Sequence, residues 1–229
     1  VAPGRPAAPW RRVFHTWGWL LLLMAALQLV PQLDLATTAA FYAPVEGFAW
    51  QRAAIAEFVR HVLPRLIVAS LAVCAVLTAL GVARRAPVAG LTPRRLAYLA
   101  ATMLLGPGLI VETLLKPHWG RARPDEIAAF GGTAAYTPPL WLSDACARNC
   151  SFVSGHAAIA FWVGAYAYLL PERYRRIGIA AAMLFGTAVG MVRVAQGAHF
   201  LSDVVYAGAI VLAVNGLAAR LLLPRPVAP

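Results

Sequence analysis

Val192-Arg193-Val194-Ala195-Gln196-Gly197-Ala198-His199-Phe200-Leu201-Ser202-Asp203 stands at the junction of two long apolar runs. His199 and Asp203 are four residues apart, so on a helix they share a face one turn apart. A carboxylate so placed holds an imidazole in one tautomer and stabilises its cationic form. Arg193, just upstream, offers an anion a planar fork of donors. Ionisable residues at the ends of membrane segments are functional candidates by default. The nature of the flanking apolar runs therefore decides both the fold and the setting of this trio.

Of the 229 residues, 61% are hydrophobic and only 13% are charged. A soluble domain averages about half apolar and about a quarter charged. Several runs here approach or exceed the ~18 apolar residues that mark a membrane helix. The composition predicts an all-α polytopic membrane protein and disfavours a soluble helical bundle. The net charge of +11 raises a nucleic-acid partner. Its distribution excludes one: the basic residues cluster in short segments between apolar runs, and none forms an aromatic-interleaved surface for single strands.

One membrane-embedded domain, 1–229, accounts for the chain. Residues 1–12 read as disordered, and the run after them carries no small-residue cleavage site of a signal peptide. Trp17 to about Val30 is a first span, with Pro31 to Ala43 leaving the membrane. Phe48 to His61 mixes Arg52, Glu57 and Arg60 with Phe48, Trp50, Ile55 and Phe58, the pattern of an amphipathic helix lying in the interface. Pro64 to about Val82 is a second span. Leu96 to Leu115 is a third, interrupted at Gly106-Pro107-Gly108. The polar loop 116–150 is long enough to be functional. Ser151 to Leu170, Ile177 to about Val194 and His199 to Leu223 complete six spans. The fifth carries Gly186 and Gly190 at a helix-packing spacing.

Six spans put both termini on one side. Twelve of the 20 basic residues then share that side: Arg5, Arg11, Arg12, Arg84, Arg85, Arg94, Arg95, Arg173, Arg175, Arg176, Arg220 and Arg225. The positive-inside rule makes it cytoplasmic. Lys116, Arg123, His156, Arg193 and His199 all fall on the opposite face.

Three clusters on that outer face offer the inventory for binding and attacking a phosphate. Lys116 is the only lysine in the chain, and with Arg123 and Arg193 it would neutralise a phosphate and the charge spread over its oxygens in the transition state. Ser154 and Gly155 open the fourth span, where free N–H groups and the positive dipole end favour an anion. His199, polarised by Asp203, is the nucleophile candidate. His156 has no neighbouring carboxylate in sequence and is free to protonate a leaving oxygen. His118 and Arg121 are candidate substrate contacts, with an interfacial anchor as the alternative for Arg121. Cys146 and Cys150 have a spacing that permits a disulfide in an oxidising compartment. A metal site would need further ligands, so no metal and no cofactor is expected.

Lys116-x6-Arg123-Pro124, Ser154-Gly155-His156 and Arg193-x5-His199-x3-Asp203 resemble, in order and spacing, the three signature motifs of the type 2 phosphatidic acid phosphatase superfamily. The resemblance covers the third to sixth spans. It implies an acid-phosphatase-like core and a metal-independent phosphatase in which His199 attacks phosphorus to form a phosphohistidine and Asp203 orients it. It also implies that His156 protonates the leaving group and then activates water, while Lys116, Arg123, Ser154, Gly155 and Arg193 hold the phosphoryl oxygens. Val153 stands where the family usually has Pro, and Val192 where it usually has Ser. Neither change touches the nucleophile, the acid or the cations.

Phe130-Gly131-Gly132 and the stretch Asn149 to Gly155 are similar to bacterial inner-membrane lipid phosphatases, including those acting on the 1-phosphate of lipid A. That similarity implies an inner-membrane protein with a periplasmic site and a lipid phosphate substrate. Undecaprenyl diphosphate and phosphatidylglycerophosphate are competing substrates. A lipid phosphotransferase, or a scaffold that has kept the fold, are the competing functions.

Overall fold

The computed structural model describes residues 9–224. Of the expected disordered segment 1–12, residues 1–8 lie outside this range. Helices make up most of the rest: α1 (Pro9–Leu29), α2 (Gln32–Ala39), α3 (Ala54–Ala83), α4 (Pro93–Leu115), α5 (Gly155–Trp162), α6 (Gly164–Ala167), α7 (Glu172–Ala195) and α8 (Leu201–Leu222). The helices α3, α4, α7 and α8 are long and apolar enough to cross a membrane. Residues 18–39 of α1 and α2 pass the same test only as a pair bent by 88°. Four or five spans are therefore found among the described residues, where six were expected.

The fourth expected span accounts for the main difference. Ser151 to Leu170 is a helix of 8 residues and one of 4, interrupted at Val163. At 1.5 Å per residue neither crosses ~30 Å of hydrocarbon. Its apolar side chains face protein instead: Ala157, Ala158, Ala160, Phe161 and Trp162 are all buried. The Trp162 indole donates to Thr102 Oγ1 of α4 at 3.0 Å, which satisfies its N–H inside the core. Helices α3, α4, α7 and α8 pack around α5. Close approach by α7 depends on its small residues. A methyl at Gly186 would meet the Phe161 ring at 2.3 Å, and one at Gly190 would meet Val204 at 2.2 Å. Both positions serve contacts within the chain.

The expected interfacial helix 48–61 does not form as a separate element. Phe48 belongs to a two-stranded antiparallel hairpin, Tyr42–Ala43 with Gly47–Phe48, and its ring is buried against Tyr42 and Phe130. Residues 54–61 are instead the first two turns of α3, which runs unbroken through Pro64. The chain passes that proline by widening to π turns at Phe58–Val62. A wider turn accommodates the missing N–H and the ring's clash with the preceding turn. Helix α4 meets Gly106-Pro107-Gly108 in the same way, with π turns over Leu104–Leu115 in place of the expected break. The outer faces of α3 carry exposed Leu66, Val68, Val73, Val76 and Val82, the surface a helix shows to lipid.

Candidate active site

The connection between α7 and α8, residues 196–200, holds His199 with no solvent exposure. Its Nδ1 lies 2.8 Å from the Ser151 carbonyl. A carbonyl only accepts, so Nδ1 carries the proton and Nε2 presents a lone pair. His199 Nε2 is buried and has no hydrogen-bond partner among the described residues. Burial pushes the ring's pKa down to about 4, against the opposing pull of Asp203, so at neutral pH the ring is neutral.

Asp203 does not hold His199 in the way the four-residue spacing suggests. Its Oδ2 is 3.7 Å from Nδ1, beyond hydrogen-bond length. His199 precedes the helix that begins at Leu201, so the i,i+4 geometry of a helix face does not apply. The carboxylate instead accepts from the Ser151 hydroxyl at 2.5 Å and from the Phe200 N–H at 2.8 Å. The second bond closes the first turn of α8, as an acid three residues into a helix does. Asp203 thus fixes Ser151, and the Ser151 carbonyl fixes His199.

Behind Asp203 lies a fully buried ionic cluster centred on Arg121. This guanidinium donates to Asp203 Oδ1 at 2.6 Å, Asp34 Oδ2 at 2.9 Å, the Ser202 hydroxyl at 2.8 Å and the Thr137 carbonyl at 2.9 Å. Its plane lies over the Phe200 ring, 4.3 Å from the centroid. Burial would lower its pKa, but Asp203 and Asp34 outweigh that and the net shift is upward. Arg121 is therefore not a substrate contact, because every arm of the fork is committed inside the protein. Asp34 completes the cluster, accepting from the Ser202 N–H at 2.8 Å, the Ser202 hydroxyl and Tyr136 at 3.2 Å. With one cation and two carboxylates the cluster carries net negative charge, and a cationic His199 would neutralise it.

The cations of the three motifs lie near the two histidines. Lys116 closes α4 with its Nζ 3.1 Å from Glu112 Oε1. Arg193, in the last turn of α7, is buried; it bonds Gln196 through Nη1, while its Nε has no partner among the described residues. Arg123 reaches the Asn149 carbonyl at 2.7 Å through Nη2. Arg193 and Arg123 both act electrostatically on His199. Lys116, Arg193 and His199 likewise act on His156. The structure therefore gathers the cations of all three motifs around the two histidines. His118 is exposed, with Nδ1 2.9 Å from the Leu114 carbonyl at the end of α4. Cys146 and Cys150 are disulfide-bonded in the loop that carries Asn149.

Ser154 caps α5, its Oγ accepting from the Ala157 N–H at 3.4 Å, which leaves its own O–H to donate. At Gly155 a methyl would lie 1.9 Å from Glu112 Oε1 and 3.3 Å from Lys116 Nζ. The glycine lets an anionic oxygen rest on the helix N-terminus beside Lys116. Gly155→Ala is expected to weaken binding of an inorganic phosphate anion roughly 10–100-fold by filling that cradle. The Glu112 side chain is 46% exposed and free to move aside, so thermal melting should stay near wild type.

The PAP2 superfamily model matches residues 95–225, more than half of the chain and all three clusters. The chain belongs to the PAP2 superfamily. Over 115 residues this PAP2 chain is 41% identical to the lipid A 4'-phosphatase of Francisella tularensis subsp. novicida (strain U112), covering 50% of this chain and 52% of that protein. A lipid A 4'-phosphatase of Rhizobium leguminosarum is 38% identical over 112 residues, 49% of this chain and 48% of that one. A lipid A 1-phosphatase of Rhizobium etli is 41% identical over 110 residues, 48% and 42%. The alignments span about half the length of these curated relatives. The transmembrane PAP2-type phosphatidylglycerolphosphate phosphatase of Bacillus subtilis shares the fold, with a TM-score of 0.54 and 22% identity over 92% of this chain and 96% of that one.

Val153 and Val192, the two departures from the family pattern, are absorbed by packing. Val153 is fully buried in the core, and Val192 packs with Val59, Ala160 and Val189.

Proposed function

We propose that this PAP2 membrane chain hydrolyses a lipid phosphate ester through a phosphohistidine at His199. The observation that carries the reading is the unpartnered, buried Nε2 of a neutral His199 whose Nδ1 is tied to a backbone carbonyl. The Nε2 lone pair attacks phosphorus, and the P–O bond to the lipid breaks. His156, doubly protonated once the phosphate anion is bound beside it, gives its Nδ1 proton to the departing oxygen and becomes neutral, its Nε2–H staying on the Arg60 carbonyl. The imidazole becomes cationic, and the negative cluster of Asp203, Asp34 and Arg121 behind it stabilises that charge. Lys116, Arg123 and Arg193 balance the phosphoryl oxygens, joined by the Ser154 hydroxyl and the N-terminus of α5. Water then attacks, His156 takes its proton, the P–N bond breaks and inorganic phosphate leaves.

The proposed substrate is a phosphate monoester of lipid A. The relatives named for the 1- and 4'-positions both support this class. The proposed setting is a bacterial inner membrane with the site at the periplasmic face and both termini cytoplasmic. The disulfide in the Cys146–Cys150 loop supports that placement, as do the arginines of loop 84–95. The test is phosphate release from lipid A, undecaprenyl diphosphate, phosphatidylglycerophosphate and phosphatidate in mixed micelles containing EDTA. Lipid A should be turned over fastest, with the site of cleavage read by mass spectrometry of the product. Release only from the glycerolipids would overturn the substrate assignment. Label passed to an added alcohol instead of water would make the chain a phosphotransferase.

A further inference from the structure

His156 has no carboxylate beside it in sequence, and the structure shows what holds it. Its Nε2 lies 3.1 Å from the backbone carbonyl of Arg60, in the first turns of α3. A carbonyl inside a helix is normally taken by the N–H four residues on. For Arg60 that residue is Pro64, which has no N–H. The chain already widens here, with the Leu63 N–H reaching back five residues to Phe58. We infer that Pro64 is a positioning residue for His156: it offers the Arg60 carbonyl no α-helical partner and imposes the widened turns in which that carbonyl meets the imidazole.

The consequence is chemical. The carbonyl can only accept, so Nε2 must carry a proton, and Nδ1 becomes the nitrogen that gives and takes the catalytic proton. The two histidines are thus set in opposite senses by two backbone carbonyls. Ser151 holds Nδ1 of His199 and frees Nε2, while Arg60 holds Nε2 of His156 and frees Nδ1. Arg60 and Pro64 lie outside residues 95–225 that match the family. They also sit in the wall of a pocket that they and Arg65 share with Glu112, Gly155 and His156.

The role assigned to Pro64 rests on the phosphatase reading, and the test separates the two. Pro64→Ala restores an N–H that competes for the Arg60 carbonyl, and it introduces the best helix former in place of the worst. The variant should therefore melt no lower than wild type, yet kcat/KM on a lipid phosphate should fall roughly 10–100-fold. In a His156→Ala background the same change should have no further effect. Ring 15N NMR of His156 should show the Nε2–H tautomer in wild type and a mixture in Pro64→Ala. Wild-type turnover and an unchanged tautomer in Pro64→Ala would overturn the inference, as would an equal loss in both backgrounds. If wild type released no phosphate from any lipid, the phosphatase reading would fail, while the tautomer measurement would still decide the role of Pro64.

Discussion

His199→Ala is expected to slow phosphate release from lipid substrate by at least about 10⁴-fold, the scale on which enzymes lose a covalent nucleophile. No other group in the site is placed to replace it. His156 keeps Nε2 on the Arg60 carbonyl and its remaining nitrogen serves the departing oxygen, and the Ser154 hydroxyl oxygen accepts from the Ala157 N–H. Removing the ring also leaves the Ser151 carbonyl without its 2.8 Å partner. His199→Asn separates that effect from catalysis, because its amide N–H₂ still donates to Ser151 while offering no nucleophilic lone pair. Both variants should be inactive, and the Asn variant should melt closer to wild type. Turnover of either within tenfold of wild type would remove His199 from the role of nucleophile.

Arg121→Met is expected to cost about 3–5 kcal/mol of stability, the range for removing one partner of a buried ion pair. Asp34 and Asp203 have no solvent exposure, and the substitution leaves both carboxylates uncompensated in the interior. Arg121→Lys should rescue little. A point charge on a flexible stem cannot reproduce bonds to Asp34, Asp203, Ser202 and Thr137 at once. Adding Asp34→Asn to Arg121→Met should restore part of the loss by removing one stranded charge. Denaturant or thermal unfolding in detergent measures this directly. An Arg121→Met protein as stable as wild type would show that the cluster is incidental.

The cations and histidines of the site were legible because they are rare in a chain that is 61% hydrophobic, and because topology gathers them on one face. The Asp34 signal was also present, as a lone carboxylate among apolar residues from Gln32 to Ala43. Its partner could not be seen, because Arg121 lies 87 residues away. Arg121 itself stands two residues from Arg123 in the same motif, and only its complete burial against Asp34 and Asp203 separates the two. The groups that orient the two histidines are backbone carbonyls of Ser151 and Arg60, and a backbone carbonyl leaves no mark in residue identity. Apolarity was equally ambiguous for α5 and α6. The same Ala, Phe and Trp content suits a span facing lipid and a short helix wrapped by four others. The break at Val163 carries neither Gly nor Pro at that position to announce it.

The most direct measurement is the trapping of the phosphoenzyme. Wild type and His156→Ala are mixed with a lipid substrate carrying a radiolabelled phosphoryl group, quenched in base and digested. Label should appear on the peptide carrying His199, stable to alkali and lost in mild acid. It should appear more slowly in His156→Ala, where the departing oxygen is not protonated, and once formed it should decay more slowly there; it should be absent from His199→Ala. Label on a serine, or wild-type turnover with no labelled His199 at any time after mixing, would contradict the mechanism.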